Sequence, residues 1–139
     1  MTFARKVVLG AVALVAGVAT IVYLVPNPGK DEVQAVLLAG IEEARCGDAD
    51  ACIRRLSPDF KSEQIDYRDA CAYIRAKVTG MRREDLEVRS IDVAVEGDGA
   101  MATLKLVLTE MGFRHELTLG LHLRRDGATW KIISGRELR

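Results

Sequence analysis

No residue between Lys6 and Lys30 carries a charge, and nothing else in the sequence constrains folding so tightly. Within that stretch Val7–Val25 is mostly Val, Ala, Leu and Ile. Its 19 residues make about 28 Å of helix, close to the ~30 Å of a bilayer's hydrocarbon core. A helix satisfies its own backbone polar groups, so this run is predicted to span a membrane, with Tyr23 as an interfacial anchor. Arg5 and Lys6 hold the short tail in the cytoplasm and send the rest across. A cleaved signal peptide is the competing reading, with a cut after Ala19. Against it, the apolar run continues through Ile21–Val25, where a polar cleavage region belongs.

The organisation that follows is a cytoplasmic tail (1–6), a transmembrane helix (7–25), a linker (26–30) opened by Pro26-Asn27-Pro28-Gly29, and an exported domain (31–139). Gly10, Ala13, Gly17 and Thr20 put small residues on one stripe of the transmembrane helix. Such a stripe lets two helices pack closely in lipid, although an Ala- and Gly-rich anchor acquires this spacing by chance as well. The expected partners are the lipid bilayer and a second copy or a membrane protein.

In the whole chain 20 basic residues balance 20 acidic ones. That balance removes the electrostatic basis for nucleic-acid binding, which displaces counterions with a basic surface. The length of 139 residues allows one ordinary domain beside the anchor.

Helical periodicity opens the exported part. Val33, Val36, Leu37, Gly40, Ile41 and Ala44 share one face, with Asp31 and Gln34 spaced as a capping box and Gly47 as the stop. A short second helix is expected over about 49–56, closed by Ser57-Pro58. A third is expected over 66–79, with Tyr67, Ala70, Cys71, Ile74 and Val78 on its apolar face. Alternation then takes over in four segments, 86–96, 100–110, 113–125 and 129–134, separated by Gly97-Asp98-Gly99, Met111-Gly112 and Asp126-Gly127. In the first segment the phase slips between Val88 and Ile91, the mark of a bulge. The fold class is α+β: an N-terminal transmembrane helix, then a cone-shaped domain of three helices packed on a bent four-stranded antiparallel sheet.

The stretch Glu43-Ala44-Arg45-Cys46-Gly47-Asp48-Ala49-Asp50-Ala51, with Leu56-Ser57-Pro58-Asp59-Phe60, resembles the nuclear-transport-factor-2-like (SnoaL-like) superfamily. Leu123-Arg124-Arg125-Asp126-Gly127-Ala128-Thr129-Trp130-Lys131-Ile132 resembles its closing hairpin. The resemblance covers 31–136 and implies a curved sheet around a long first helix, with a cavity at the open end. It also implies a bacterial origin, which together with the anchor places the chain in the inner membrane with its domain in the periplasm. Members include isomerases, dehydratases and cyclases, and many binding or dimerisation domains. Inner-membrane components of type IV secretion systems are similar in layout, which keeps a scaffold role open.

The enzymes of that superfamily use an acid/base pair inside the cone. The buried stripe of the first helix offers neither Tyr nor Asp. Tyr67, Tyr73, Asp92, Glu110 and His115 are the cavity candidates, with no spacing that forces any two together. His115 falls on the leucine-rich side of its strand and His122 on the other. The reading is therefore non-catalytic: the domain binds a small apolar ligand or a protein partner, needs no cofactor and holds no metal. An isomerase, dehydratase or cyclase is the alternative. Export favours disulfides, and Cys46–Cys52, across a tight turn, is the expected pair, with Cys52–Cys71 as its rival.

Overall fold

A computed structural model describes residues 28–63 and 65–138. The expected transmembrane helix and its Gly10, Ala13, Gly17 and Thr20 stripe lie outside those residues. Among the described residues no helix is long and apolar enough to cross a membrane.

The helices are α1 (Pro28–Arg45), α2 (Ala49–Arg54) and α3 (Tyr67–Val78), with a two-stranded hairpin of β1 (Lys61–Ser62) and β2 (Ile65–Asp66) before α3. A 3-10 turn, Arg83–Asp85, leads into β3 (Leu86–Glu96), β4 (Gly99–Glu110), β5 (Phe113–Asp126) and β6 (Thr129–Glu137). These last four form an antiparallel sheet in sequence order.

Helix α1 begins three residues before the expected capping box, so Asp31 lies in its first turn. Proline is tolerated in a first helical turn, where its missing N–H has no partner to lose, so 28–30 is helix and not linker. The capping box belongs to α3. There the Asp66 carboxylate accepts from the Asp69 N–H at 2.9 Å, and the Asp66 N–H donates back to Asp69 at 3.2 Å.

The expected bulge is present, with the register shifting between Val88 and Ser90. Beyond it Ile91, Val93 and Val95 face α1 with the buried Ala100, Ala102, Leu104 and Leu106 of β4. A second irregularity lies in β6: His122 pairs with Ser134 and Leu123 with Ile132, leaving Ile133 unpaired. β6 continues to Glu137, past the expected end at Ser134. Outside β6, the Arg55–Ser57 segment adds a parallel bridge: Ser57 N–H donates to the Ile132 carbonyl and Ile132 N–H to that of Arg55, both at 2.9 Å.

The main core unites Val33, Leu37 and Ala44 of α1 with the sheet, Leu123 and Trp130; a smaller one gathers Ile53, Leu56, Phe60, Ala70 and Cys71. Trp130 fixes the direction of α1. Its indole N–H donates to Glu32 at 3.0 Å, the same carboxylate oxygen lies 3.0 Å from Arg125, and the Arg125 guanidinium stacks 4.7 Å from the Trp130 ring. The start of α1 is thereby held at the β5–β6 turn. Its last turn is held at the other end, where Arg45 Nε donates to the Leu86 carbonyl at 2.9 Å.

The hydrogen bond from Trp130, helped by Arg125, holds the Glu32 carboxyl below its ordinary value of 4.5. A carboxyl depressed in the folded state stabilises above its unfolded pKa, and that contribution is lost as pH falls through the folded value. Urea midpoints should therefore drop as pH falls below 4.5, and Glu32→Gln should make that fall shallower.

Candidate functional site

Between α1, α3 and the inner face of the sheet lies an apolar cavity of about 210 Å³. Leu37, Ile41, Leu104, Leu106, Leu119 and Leu121 form most of its wall, with Ile74 of α3 and Ile132 of β6. Two small residues on α1, Gly40 and Ala44, hold it open from the helix side. A Cβ added at Gly40 would find only the Arg55 Cγ, at 4.0 Å, so the space there is real. The backbone at Gly40 is ordinary helix, so nothing conformational requires glycine. Glycine in a helix interior costs about 1 kcal/mol relative to alanine.

Among the described residues the one charged lining residue is Arg55, whose guanidinium is closed in a two-pronged pair with Glu43: Nε to Oε1 at 3.1 Å and Nη2 to Oε2 at 2.7 Å. Cys52, also in the wall, donates to the Gly40 carbonyl at 3.6 Å. Burial, reinforced by Glu43 and Asp48, pushes the Cys52 thiol up to about 11. Since the thiolate is the reactive form, Cys52 should alkylate far more slowly than exposed Cys46 at neutral pH, and a cavity ligand should slow it further. Mass spectrometry after a timed iodoacetamide pulse measures both.

None of the five cavity candidates lines this wall. Tyr67 packs on the smaller core, and its hydrogen bond with Cys71 raises its pKa. Asp92 is exposed and pairs across the strands with Thr103, on the outer face of the sheet. Three of the five, however, gather beyond the cavity at the β4–β5 end. Glu110 accepts from Lys77 Nζ at 2.7 Å, and that hydrogen bond lowers the Glu110 pKa, with His115 adding a smaller electrostatic pull. Lys77 also lies 5.9 Å from the centre of the Tyr73 ring. His115 shares the face of the leucines as expected, but it pairs with Leu108 near the strand's start and is exposed, as is His122 on the other face.

Sequence reasoning missed Lys77, for which no local signal exists, since its partner is 33 residues away. Gly40 did carry a signal: an isolated glycine inside a helical pattern, far from either cap, marks a packing or functional reason.

The three cysteines are free thiols. The expected Cys46–Cys52 bridge is not formed, because Cys46 is exposed and donates to Glu42, whereas Cys52 points inward at Gly40. Cys71, buried in the smaller core, is free as well, so the rival Cys52–Cys71 pair is not formed either. Among the described residues no cluster of three or more His, Cys, Asp or Glu could hold a metal ion.

No protein-family model matches the sequence, and neither does any curated protein. Solved structures do match. A protein of unknown function from Pseudomonas putida KT2440, described as NTF2-like, superposes with a TM-score of 0.67 at 16% identity, over 78% of this chain and 84% of that one. One from Caulobacter vibrioides with a cystatin-like fold gives 0.64 at 15% identity, over 81% and 92%. The fold is nuclear-transport-factor-2-like. Bd1075 of Bdellovibrio bacteriovorus shares it with a TM-score of 0.66 at 9% identity, although this chain spans only 40% of that protein's length and 78% of its own. Lys77 and Glu110 line a separate depression of about 230 Å³ with Leu108, Thr109 and Met111, next to the apolar cavity along the sheet.

Proposed function

We propose that this chain is a single-pass, membrane-anchored envelope protein whose exported domain binds a small apolar ligand inside the cone without catalysing a reaction. The observation that carries this reading is the apolar cavity of about 210 Å³, kept open by a mid-helix glycine. An engineered apolar cavity of ~150 Å³ is known to stay dry and take up benzene, so a space of this size and lining suits a compact hydrocarbon. Non-catalysis is supported by the wall itself, where the one charge among the described residues is already paired with Glu43. Anchoring in a bacterial inner membrane, tail inside and domain outside, is supported by the uncharged run Val7–Val25 and by Arg5-Lys6 before it.

Toluene tests the cavity. Titrated into the full-length protein, it should shift the methyl NMR signals of Leu104 and Leu119 saturably; no shift up to its aqueous solubility would overturn the reading. Gly40→Leu should abolish those shifts while the protein stays folded by circular dichroism. Gly40→Ala should raise stability by up to about 1 kcal/mol and weaken toluene binding. The anchor is tested by alkaline extraction: the full-length chain should stay with the membrane pellet, and release into the supernatant would overturn it.

A partner-binding reading has one observation in its favour. The outer face carries a groove of about 560 Å³ lined by Ala94, Ile133 and the 58% exposed Met101. If a second copy sits there, Met101→Lys should convert a dimer to a monomer in sedimentation analysis.

A further inference from the structure

We propose that the cone takes a single-chain amphiphile tail first, with an uncharged hydrogen-bonding head resting at the mouth beside Lys77, Glu110 and His115. This rests on the cavity being a ligand site and names the class of ligand.

Volume is the first argument. Small-molecule sites usually measure about 300–1,000 Å³, so 210 Å³ holds a short apolar segment and little more. A longer ligand must leave by some path, and β5 supplies one. Leu121 and Leu119 line the cavity, and the alternation of the strand puts Leu117, His115 and Phe113 next on the same face. Exposure rises along this row until Phe113 is 69% exposed. At about 3.4 Å per residue, Leu119 to Phe113 is a ramp of ~20 Å. Tyr73, 62% exposed, adds a second aromatic at the same end of the fold. Large apolar side chains grouped in the open, next to an apolar cavity, are what a bound hydrocarbon chain would cover.

The charge at the mouth chooses the head. Lys77 and Glu110 are already paired at 2.7 Å and sum to zero. A carboxylate or phosphate head would meet Glu110, and an ammonium head would meet Lys77. A hydroxyl or amide accepts from one, donates to the other, and displaces neither. The mouth also faces away from the start of α1, which is tied to the β5–β6 turn at the opposite end.

The test compares 1-octanol, octanoate, octylamine and octane on the full-length protein in nanodiscs, with free concentrations fixed by dialysis and binding read from the Leu119 and Leu121 methyl signals. Octanol should bind about tenfold more tightly than either charged analogue, a difference of ~1.4 kcal/mol. Phe113→Ala and His115→Ala, both at exposed positions, should weaken octanol at least about threefold and leave toluene unchanged. Equal or tighter binding of a charged analogue, octane binding as well as octanol, or rim variants without effect would overturn the proposal while toluene binding stands. If toluene fails as well, the cavity itself is no ligand site and both readings fall.

Discussion

Replacing Trp130 by alanine is expected to cost about 3–5 kcal/mol, a large share of the ~5–15 kcal/mol that holds a domain of this size together. Trp130 is 2% exposed and fills the junction between α1 and the β5–β6 hairpin. Its loss removes that packing and strips Glu32 of its indole donor and Arg125 of the ring it stacks on. Trp130→Phe keeps most of the buried surface and forfeits the hydrogen bond, so it should cost much less, with the lost bond contributing about 1 kcal/mol. Urea denaturation of the two variants separates packing from bonding. Equal losses would mean that the Glu32 contact, not the ring's volume, fixes α1.

The second large effect concerns the cavity wall. Leu104 is 3% exposed and faces the empty space directly. Leu104→Ala should destabilise by about 2–5 kcal/mol because the transfer loss is joined by the cost of an enlarged void. Unlike Trp130→Ala, this variant should be rescued by an apolar ligand. A site filled at a hundred times its dissociation constant returns about 2.7 kcal/mol. Thermal melts with and without toluene measure the return. A Leu104→Ala protein that toluene does not stabilise would deny that the void is accessible.

Much of this arrangement was written in local pattern. The alternation from Leu86 onward gave four strands in order, and the phase slip after Val88 gave the bulge, because both depend on neighbours two or three residues apart. The buried stripe Val33, Leu37 and Ala44 followed from helical spacing alone. The second bulge was hidden because Ile132 and Ile133 are both apolar, so nothing in their chemistry says which faces inward. The β1–β2 hairpin is too short to show any period. The candidate site was harder still. Alternation correctly put His115 on the leucine side, but it cannot say how far along a strand the helices extend. Glu110 was a cavity candidate by its place on β4, and only the packing of α3 gives it Lys77 as a partner.

The parallel bridge at Leu56–Ile132 has a consequence for how this protein behaves when crowded. With part of the flank of β6 covered by Arg55–Ser57 and by the Ser62 hydroxyl, β3 is the more open rim of the sheet among the described residues. That rim is kinked at Arg89 and carries Glu87, Asp92 and Glu96, the features by which natural sheets discourage a stranger's strand from zipping on. Concentrated solutions should thus stay free of fibrous aggregates, and any ordered self-association should stack flat surfaces together in preference to extending the sheet.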